Sequence, residues 1–504
     1  MGALKAAAVF SDNMVIQRDK PVRVWGHTYS GRRVRVSFGG SEAVTECVHN
    51  EWSVTLPPVS SGRELVMEID DGTEHITFSN IAAGEVWIAG GQSNMEFELQ
   101  NDADAASMLA SLKDLDIRFY YTKKNPYMDE FFYIDERNGG WAVPDGENEK
   151  YWSAAACFFA KRLITELDVP VGIIGCNWGG TSASAWVDER LLREDDVLRA
   201  YTDDCDRAME GKSFEEYCRE LDEYNAYVEQ WQPKINEFYA KNPNGTWDEA
   251  QAYAGESRYP EPLGPKSPFR AGGLYKTMLS RVAPYGARGF LYYQGESDDH
   301  RPEMYERLLT LLIKNWRALW QDESLYFLDV QLPMHKWRQD ENGFNWAVIR
   351  EAQEKVCRTL PRAFTVCTLD CGEFDNIHPT HKEKVGERLA LCALAEVYGK
   401  LDRSCSAAPR AVSCRLEGKD VTIDTENGVG LHSIGDAKGF EIEDEYGVFY
   451  PAKAVLSDNR VILSSDKTET PVSVRYQWIN WGEVNVFGGN GLPLMPFRSA
   501  VSAE

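Results

Sequence analysis

The sequence predicts an α/β protein, a parallel sheet with helices on both faces, carrying an all-β region at each end. Three observations predict it. Residues 1 to about 80 alternate apolar and polar positions in short runs cut by Gly, Pro and Asp. From about 84 to 400, short apolar runs alternate with amphipathic helical stretches. After about 405 the short strands return. The expected organisation is an N-terminal β-rich region at 1–82, a central domain at 83–404 and a C-terminal β-rich region at 405–504. A chain of 504 residues exceeds what one core sustains, which agrees with several units.

The elements follow in order. Val22-Arg-Val-Trp25, Arg33-Val-Arg-Val36 and Glu74-His-Ile-Thr-Phe78 read as strands of the first region. In the central domain the expected strands are Glu85–Ala89, Asp116–Tyr121, Val169–Cys176, Gly289–Tyr293, Leu325–Gln331 and Ala363–Leu369. Between them, 153–167 places Phe158, Phe159, Leu163 and Ile164 toward one side, and 303–320 does the same with Leu308, Leu311, Leu312 and Leu319. The stretch from about 190 to 265 leaves the alternation. It is acidic and aromatic, reads as a helical insertion, and ends in a Pro/Gly-rich loop at Tyr259–Pro265. Strands at 421–424, 461–463 and 472–476 mark the last region.

Composition narrows the function. Lys and Arg number 54 against 79 Asp and Glu, a formal charge of -25. Nucleic acid and anionic membrane both call for a basic footprint, so neither is expected as a partner. No run approaches the ~20 apolar residues of a membrane span. The opening Met1–Phe10 is a poor signal peptide, because its apolar run is short and Ser11-Asp-Asn13 interrupts it. The 11 cysteines are odd in number and scattered, which suits reduced thiols and a cytoplasmic location.

Four loops, each placed after an expected strand, carry the chemistry. In Val86-Trp-Ile-Ala-Gly-Gly-Gln-Ser-Asn-Met-Glu96 an apolar strand runs into two glycines and a serine. A nucleophilic serine needs such a Gly-permitted turn, with a helix N-terminus behind it to meet an oxyanion. Met95 stands where the nucleophile elbow of α/β-hydrolases has its second glycine, so the turn is of another kind. In Asp370-Cys-Gly-Glu-Phe-Asp-Asn-Ile-His-Pro-Thr-His381, Asp375 and His378 are three apart, within reach for a carboxylate to orient an imidazole, the base a serine lacks. Asp370 and Glu373 are the next candidates for that carboxylate. A zinc site at His378 and His381 is the weaker reading, since no third ligand is placed by the sequence. Asn177-Trp-Gly-Gly-Thr-Ser182 and Tyr293-Gln-Gly-Glu-Ser297 complete the set at the carboxyl edge, where open α/β sheets bind ligands. Each loop alone is as well read as a cap or turn; the four together are what inform.

These pieces, in this order, resemble the blocks of SGNH (GDSL-like) hydrolases, and more closely the sialate O-acetylesterase family. Gly91-Gln-Ser-Asn-Met-Glu96, Trp178-Gly-Gly-Thr181, Tyr293-Gln-Gly-Glu-Ser297 and Asp375-Asn-Ile-His-Pro379 carry the likeness. Ser11–Arg18 and Gly491–Arg498 extend it to the flanking β-regions, leaving about 190–265 least matched. The resemblance implies an SGNH-type three-layer α/β/α sandwich and a carbohydrate O-acetylesterase, with O-acetylated sialic acid favoured and acetylated xylan or mannan as alternatives. It implies Ser93 as nucleophile, His378 as general base and then acid, and Asp375 as the group that orients His378. The oxyanion would be held by the N–H of Ser93, the N–H of Gly180 (Gly179 as fallback) and the side chain of Gln294. Here Gln-Gly-Glu replaces the wider pattern's Gly-x-Asn-Asp, which puts Gln294 in doubt. Glu296 is expected to brace its loop or to touch the sugar. No metal or organic cofactor is implied, the partner is an O-acetylated sugar or oligosaccharide, and a homo-oligomer stays open. Trp178, Trp186, Phe131–Tyr133 and the insertion are the candidates for shaping the sugar pocket. Two other classes compete: a glycoside hydrolase using Glu96 with Glu296, and a non-catalytic carbohydrate-binding protein using its 15 Trp residues.

Overall fold

A computed structural model describes residues 4–136, 138–243, 245–336 and 343–502; Met1–Ala3 of the opening stretch lie outside them. The central sheet runs, in spatial order, Trp141–Ala142, Ile117–Tyr121, Val171–Asn177, His75–Gly91, Gly289–Tyr293, Tyr326–Val330, Ala363–Val366. Neighbours are parallel except the edge pair Trp141–Ala142 with Ile117–Tyr121. From its middle strand the chain first builds one side of the sheet, then crosses to build the other. That reversal opens a crevice at the carboxyl ends of Val171–Asn177, His75–Gly91 and Gly289–Tyr293.

These strands are apolar almost without alternation because both faces are covered. Register shows by what. Ile88 lies beside Phe290, so Trp87 and Phe290 point to opposite faces. Trp87 meets Phe159 of the helix Ala154–Leu167 edge-on, whereas Phe290 meets Trp316 and Trp320 of the helix Tyr305–Trp320. The first helix packs with Glu383–Glu396 and the second with Asn345–Thr359. The result is the expected α/β/α sandwich. Ser153 starts the first helix by accepting from the Ala156 N–H at 3.2 Å.

The two runs expected as separate strands at 74–78 and 85–89 form one strand, His75–Gly91, and the border expected at 82/83 runs through it. Its first half pairs with Gly62–Asp70 in the N-terminal β region, and its second half is the middle of the central sheet. Ser79-Asn80, a turn signal in the sequence, is taken up as a bulge: Met67 pairs with Phe78 and Leu65 with Ile81, and Asn80 has φ 52°. Buried Glu85 on this strand accepts from Arg18 Nε at 2.7 Å and Arg288 Nε at 2.8 Å, which ties the N-terminal region to the sheet. Burial alone would raise the Glu85 pKa; the arginine hydrogen bonds and charge outweigh it and hold the carboxylate below its ordinary range.

The stretch 190–265 contains the helices Arg199–Met209, Phe214–Lys241 and Trp247–Ala254, the last two opened by capping boxes at Ser213/Glu216 and Thr246/Glu249. The C-terminal region holds two four-stranded antiparallel sheets around Val421, Ile423, Phe440 and Val474. It docks through Arg410–Glu354 at 2.6 Å and Arg498–Glu351 at 2.8 Å, and the Asn480 carbonyl accepts from the His335 N–H at 3.0 Å. No helix among the described residues is long and apolar enough to cross a membrane.

Arg288→Met removes one of the two guanidinium partners of buried Glu85. It is expected to destabilise the protein by about 3 kcal/mol in denaturant unfolding. A loss below about 0.5 kcal/mol, the size usual for a surface substitution, would show that the pair is not buried in solution.

Candidate active site

The strand His75–Gly91 ends where Gly91, at φ 132°, passes so close to the next strand that a Cβ there would lie 2.1 Å from the Tyr293 carbonyl oxygen. Only glycine allows this approach. Gln92 then caps a single helical turn, Ser93–Glu96. His378 reaches the same point from the loop after the last strand. Its Nε2 lies 2.8 Å from Ser93 Oγ, although the two residues are 285 apart in sequence.

Trp178-Gly-Gly-Thr181 packs against this pair. A Cβ at Gly179 would sit 3.3 Å from Ser93 Cβ, and one at Gly180, φ 75°, would collide with the Tyr259 hydroxyl at 2.1 Å. The Gly179 N–H donates to Glu96 Oε2 at 2.6 Å, and Lys124 pairs with Oε1 of the same carboxylate. Among the described residues no acceptor meets the N–H of Ser93 or of Gly180. Two free donors therefore flank the serine, while Gly179, the fallback donor, is committed to Glu96.

A cavity of about 730 Å³ opens over Ser93 and His378. Gly180, Ser182 and Ser297 belong to its lining, and the 190–265 stretch with the loop after it supplies Tyr201, Tyr259 and Phe269. The insertion, least legible in sequence, thus shapes the pocket. Trp186 is instead fully buried, donating to Thr181 Oγ1 at 3.0 Å, and Phe131 is exposed on the helix Glu130–Glu136, outside the pocket lining.

Comparison with known proteins finds carbohydrate esterases. A family model described as a carbohydrate esterase, sialic acid-specific acetylesterase, matches residues 264–395. The sialate O-acetylesterases of Mus musculus and Homo sapiens are 24% and 23% identical to this chain; each alignment covers 94% of it and 89% and 87% of the relative. A carbohydrate acetylesterase from Xanthomonas citri has a similar structure, with TM-score 0.78 at 26% identity over 98% of this chain and 99% of that one. The chain is similar to sialate O-acetylesterases over nearly its whole length.

Two side chains expected to act on the histidine and the oxyanion, Asp375 and Gln294, have other surroundings in this geometry. The Asp375 carboxylate is exposed and makes no hydrogen bond with His378 among the described residues. The loop instead closes on itself through Glu373, whose carboxylate accepts from the Thr380 N–H at 2.7 Å and from Asn376 Nδ2 at 2.8 Å, while Asn376 Oδ1 accepts from the His378 N–H at 3.0 Å. Asp370, the other candidate, is paired with Arg388 at 2.6 Å.

Gln294 is fully buried. Its Nε2 donates to Asp298 Oδ2 at 2.6 Å and approaches Gln92 Oε1 and the Thr181 carbonyl, so it is not free to meet an oxyanion. Glu296 braces its loop: Oε1 accepts from Asn94 Nδ2 at 2.5 Å, and burial raises its pKa. Glu96 is held by Gly179 and Lys124 and Glu296 by Asn94, so this pair is not free for glycoside hydrolysis. His381 is exposed beside Asp104 at 3.2 Å and does not join His378.

The residues that sequence reasoning missed hold the loops together. Buried Asp298 accepts from Ser182 Oγ at 2.6 Å, the Ala183 N–H at 2.9 Å, the Tyr201 hydroxyl at 3.0 Å and Gln294. One carboxylate therefore joins two active-site loops to the insertion. Gln92 Oε1 accepts from the Ser297 N–H at 3.1 Å. The available signal was position alone: Gln92 precedes the serine, and Asp298 follows Gln294 by four.

Burial, then the charges of Lys382 and His335, lower the His378 pKa from its ordinary 6.5; Glu96 opposes them. A base whose pKa is lowered stays neutral to lower pH. The acid limb of kcat/KM on an acetyl ester is therefore expected below pH 6.5, and Asp375→Asn should leave it in place. A limb above 6.5 that falls in Asp375→Asn would show that the carboxylate does reach the imidazole in solution.

Proposed function

We propose that the chain is a carbohydrate O-acetylesterase that works by acyl transfer through Ser93 and His378. The observation that carries this is the 2.8 Å contact between His378 Nε2 and Ser93 Oγ on the floor of the pocket, beside the free N–H groups of Ser93 and Gly180. With the proton of the neutral ring on Nδ1, Nε2 accepts the hydroxyl proton as Oγ attacks the acetyl carbonyl carbon. The two N–H groups meet the negative oxygen of the tetrahedral intermediate. His378 passes its proton to the departing sugar oxygen, leaving Ser93 acetylated and the sugar hydroxyl free. A water molecule, deprotonated by His378, then attacks the acetyl carbon; the serine oxygen leaves, regains its proton from His378, and acetate is released.

Sialate is the substrate named for the curated relatives. One observation favours an uncharged acetylated sugar instead, as in acetylated xylan or mannan. The pocket lining combines the rings of Tyr201, Tyr259 and Phe269 with Asp204 and Asp299, and contains no Lys or Arg among the described residues. The cations nearby, Arg301 and Arg207, both pair with Asp204. A sialate carboxylate would leave water beside acidic side chains, a costly transfer. Eleven unpaired cysteines, seven of them buried, support a reducing compartment.

Ser93→Ala and His378→Ala are each expected to lower kcat on p-nitrophenyl acetate by several orders of magnitude with the fold intact by circular dichroism. Wild-type rates in pure Ser93→Ala protein would overturn the esterase reading. On a panel of O-acetylated sialic acids and neutral acetylated oligosaccharides, acetate release should be faster on the neutral group; the reverse order would restore sialate.

A further inference from the structure

The catalytic loop has a second, buried support that none of the expected roles contains. Lys382 stands just before the helix Glu383–Glu396 and is 1% exposed. Its ammonium donates to Asn94 Oδ1 at 2.6 Å and to the Pro379 carbonyl at 2.7 Å, and its backbone N–H donates to Asp102 Oδ2 at 2.8 Å. The Phe97 ring lies 4.7 Å from Nζ and the Tyr293 ring 5.7 Å. Asn94 follows Ser93, and Pro379 follows His378. Asn94 Nδ2 also donates to the carbonyl of Ile377, the residue before His378, at 2.9 Å. The residue after the serine is thus bonded, directly and through one ammonium, to both neighbours of the histidine. Alongside the 2.8 Å Ser93–His378 contact itself, this links the serine turn directly to the histidine loop.

We propose that Lys382 is a positioning residue of the esterase: it clamps the histidine loop onto the serine turn and sets the charge against which His378 works. The proposal rests on the esterase reading above. A desolvated ammonium held by two carbonyl-type oxygens is a rigid tie, because its bonds are charge-assisted and no water competes for them. A tie at this point matters because a shift of about 1 Å between reacting groups costs on the order of 10²-fold in rate.

The charge acts on the same imidazole. Facing His378 are Lys382 from its own loop, His335 from the loop after Tyr326–Val330, and Glu96 from the serine turn. Facing Lys382 are Glu296 across Asn94, then Asp102, Cys371 and Glu373. Burial brings Lys382 down to about 8, so it stays charged through the range in which His378 titrates. Its positive charge disfavours a second one on His378 and so keeps the base neutral at lower pH.

Three variants separate the two effects, each read as the kcat/KM and kcat pH profile on p-nitrophenyl acetate with wild type and Ser93→Ala alongside. Lys382→Met loses both charge and donors: kcat should fall on the order of 10²-fold, and the acid limb should move to higher pH. Lys382→Gln keeps donors without charge, so the limb should move up while kcat falls less. Lys382→Arg keeps the charge, so its limb should stay at the wild-type position even where kcat drops. A limb unchanged in both Met and Gln, or a wild-type kcat in Met, overturns the proposal. If Lys382→Met does not fold, the Gln and Arg limbs decide alone. Should wild type and Ser93→Ala be equally active, the esterase reading itself has failed, an outcome distinct from either.

Discussion

The active site depends on keeping four loops in one arrangement at the edge of a sheet, and the buried carboxylate of Asp298 is the interaction that does most of this. Loops after parallel strands have no ladder to hold them. Here Asp298 gathers donors from Ser182, Ala183, Gln294 and Tyr201. A buried charge is tolerated only when it is fully paired or hydrogen-bonded, so each donor that completes Asp298 is itself fixed by the demand. The insertion joins the site through the same carboxylate, which places its aromatic side chains over Ser93.

The serine and histidine are held by a different device. Ser93 stands on a one-turn helix whose approach is possible because Gly91 has no side chain. His378 stands on a loop stitched internally by Glu373 and Asn376 and tied to the serine turn through Asn94 and Lys382. Orientation of the imidazole therefore comes from its backbone and its neighbours, with no carboxylate at Nδ1 among the described residues. The consequence is electrostatic as well as geometric. A buried base next to a buried ammonium, whose effect outweighs that of Glu96, is neutral over a wider acid range than one in a carboxylate-supported triad.

The fold was largely legible in the sequence because parallel strands buried on both faces leave continuous apolar runs, and each such run ended in a Gly or polar loop. The N-terminal border was not, because Ser79-Asn80 carries the composition of a turn and the structure uses it as a bulge within one strand. Loop chemistry singled out Ser93 and His378, which the structure brings within 2.8 Å of each other. Asp375 and Gln294 have other surroundings than expected for a common reason: spacing shows which side chains can reach a point, and the partners that compete for that point come from distant segments. Gln294 is drawn to Asp298, and the space beside the histidine loop is filled by Lys382, Asn94 and Glu373. Long-range partners of this kind leave no local pattern.

The central claim is that Ser93 carries the acetyl group between the two half-reactions. Acid quenching of the enzyme during turnover of an acetyl ester, followed by peptide mapping with mass spectrometry, tests it most directly. The account predicts acetyl label on the peptide containing Ser93, absent from His378→Ala treated in the same way. Label confined to another residue of the pocket, such as Ser182 or Ser297, would contradict it.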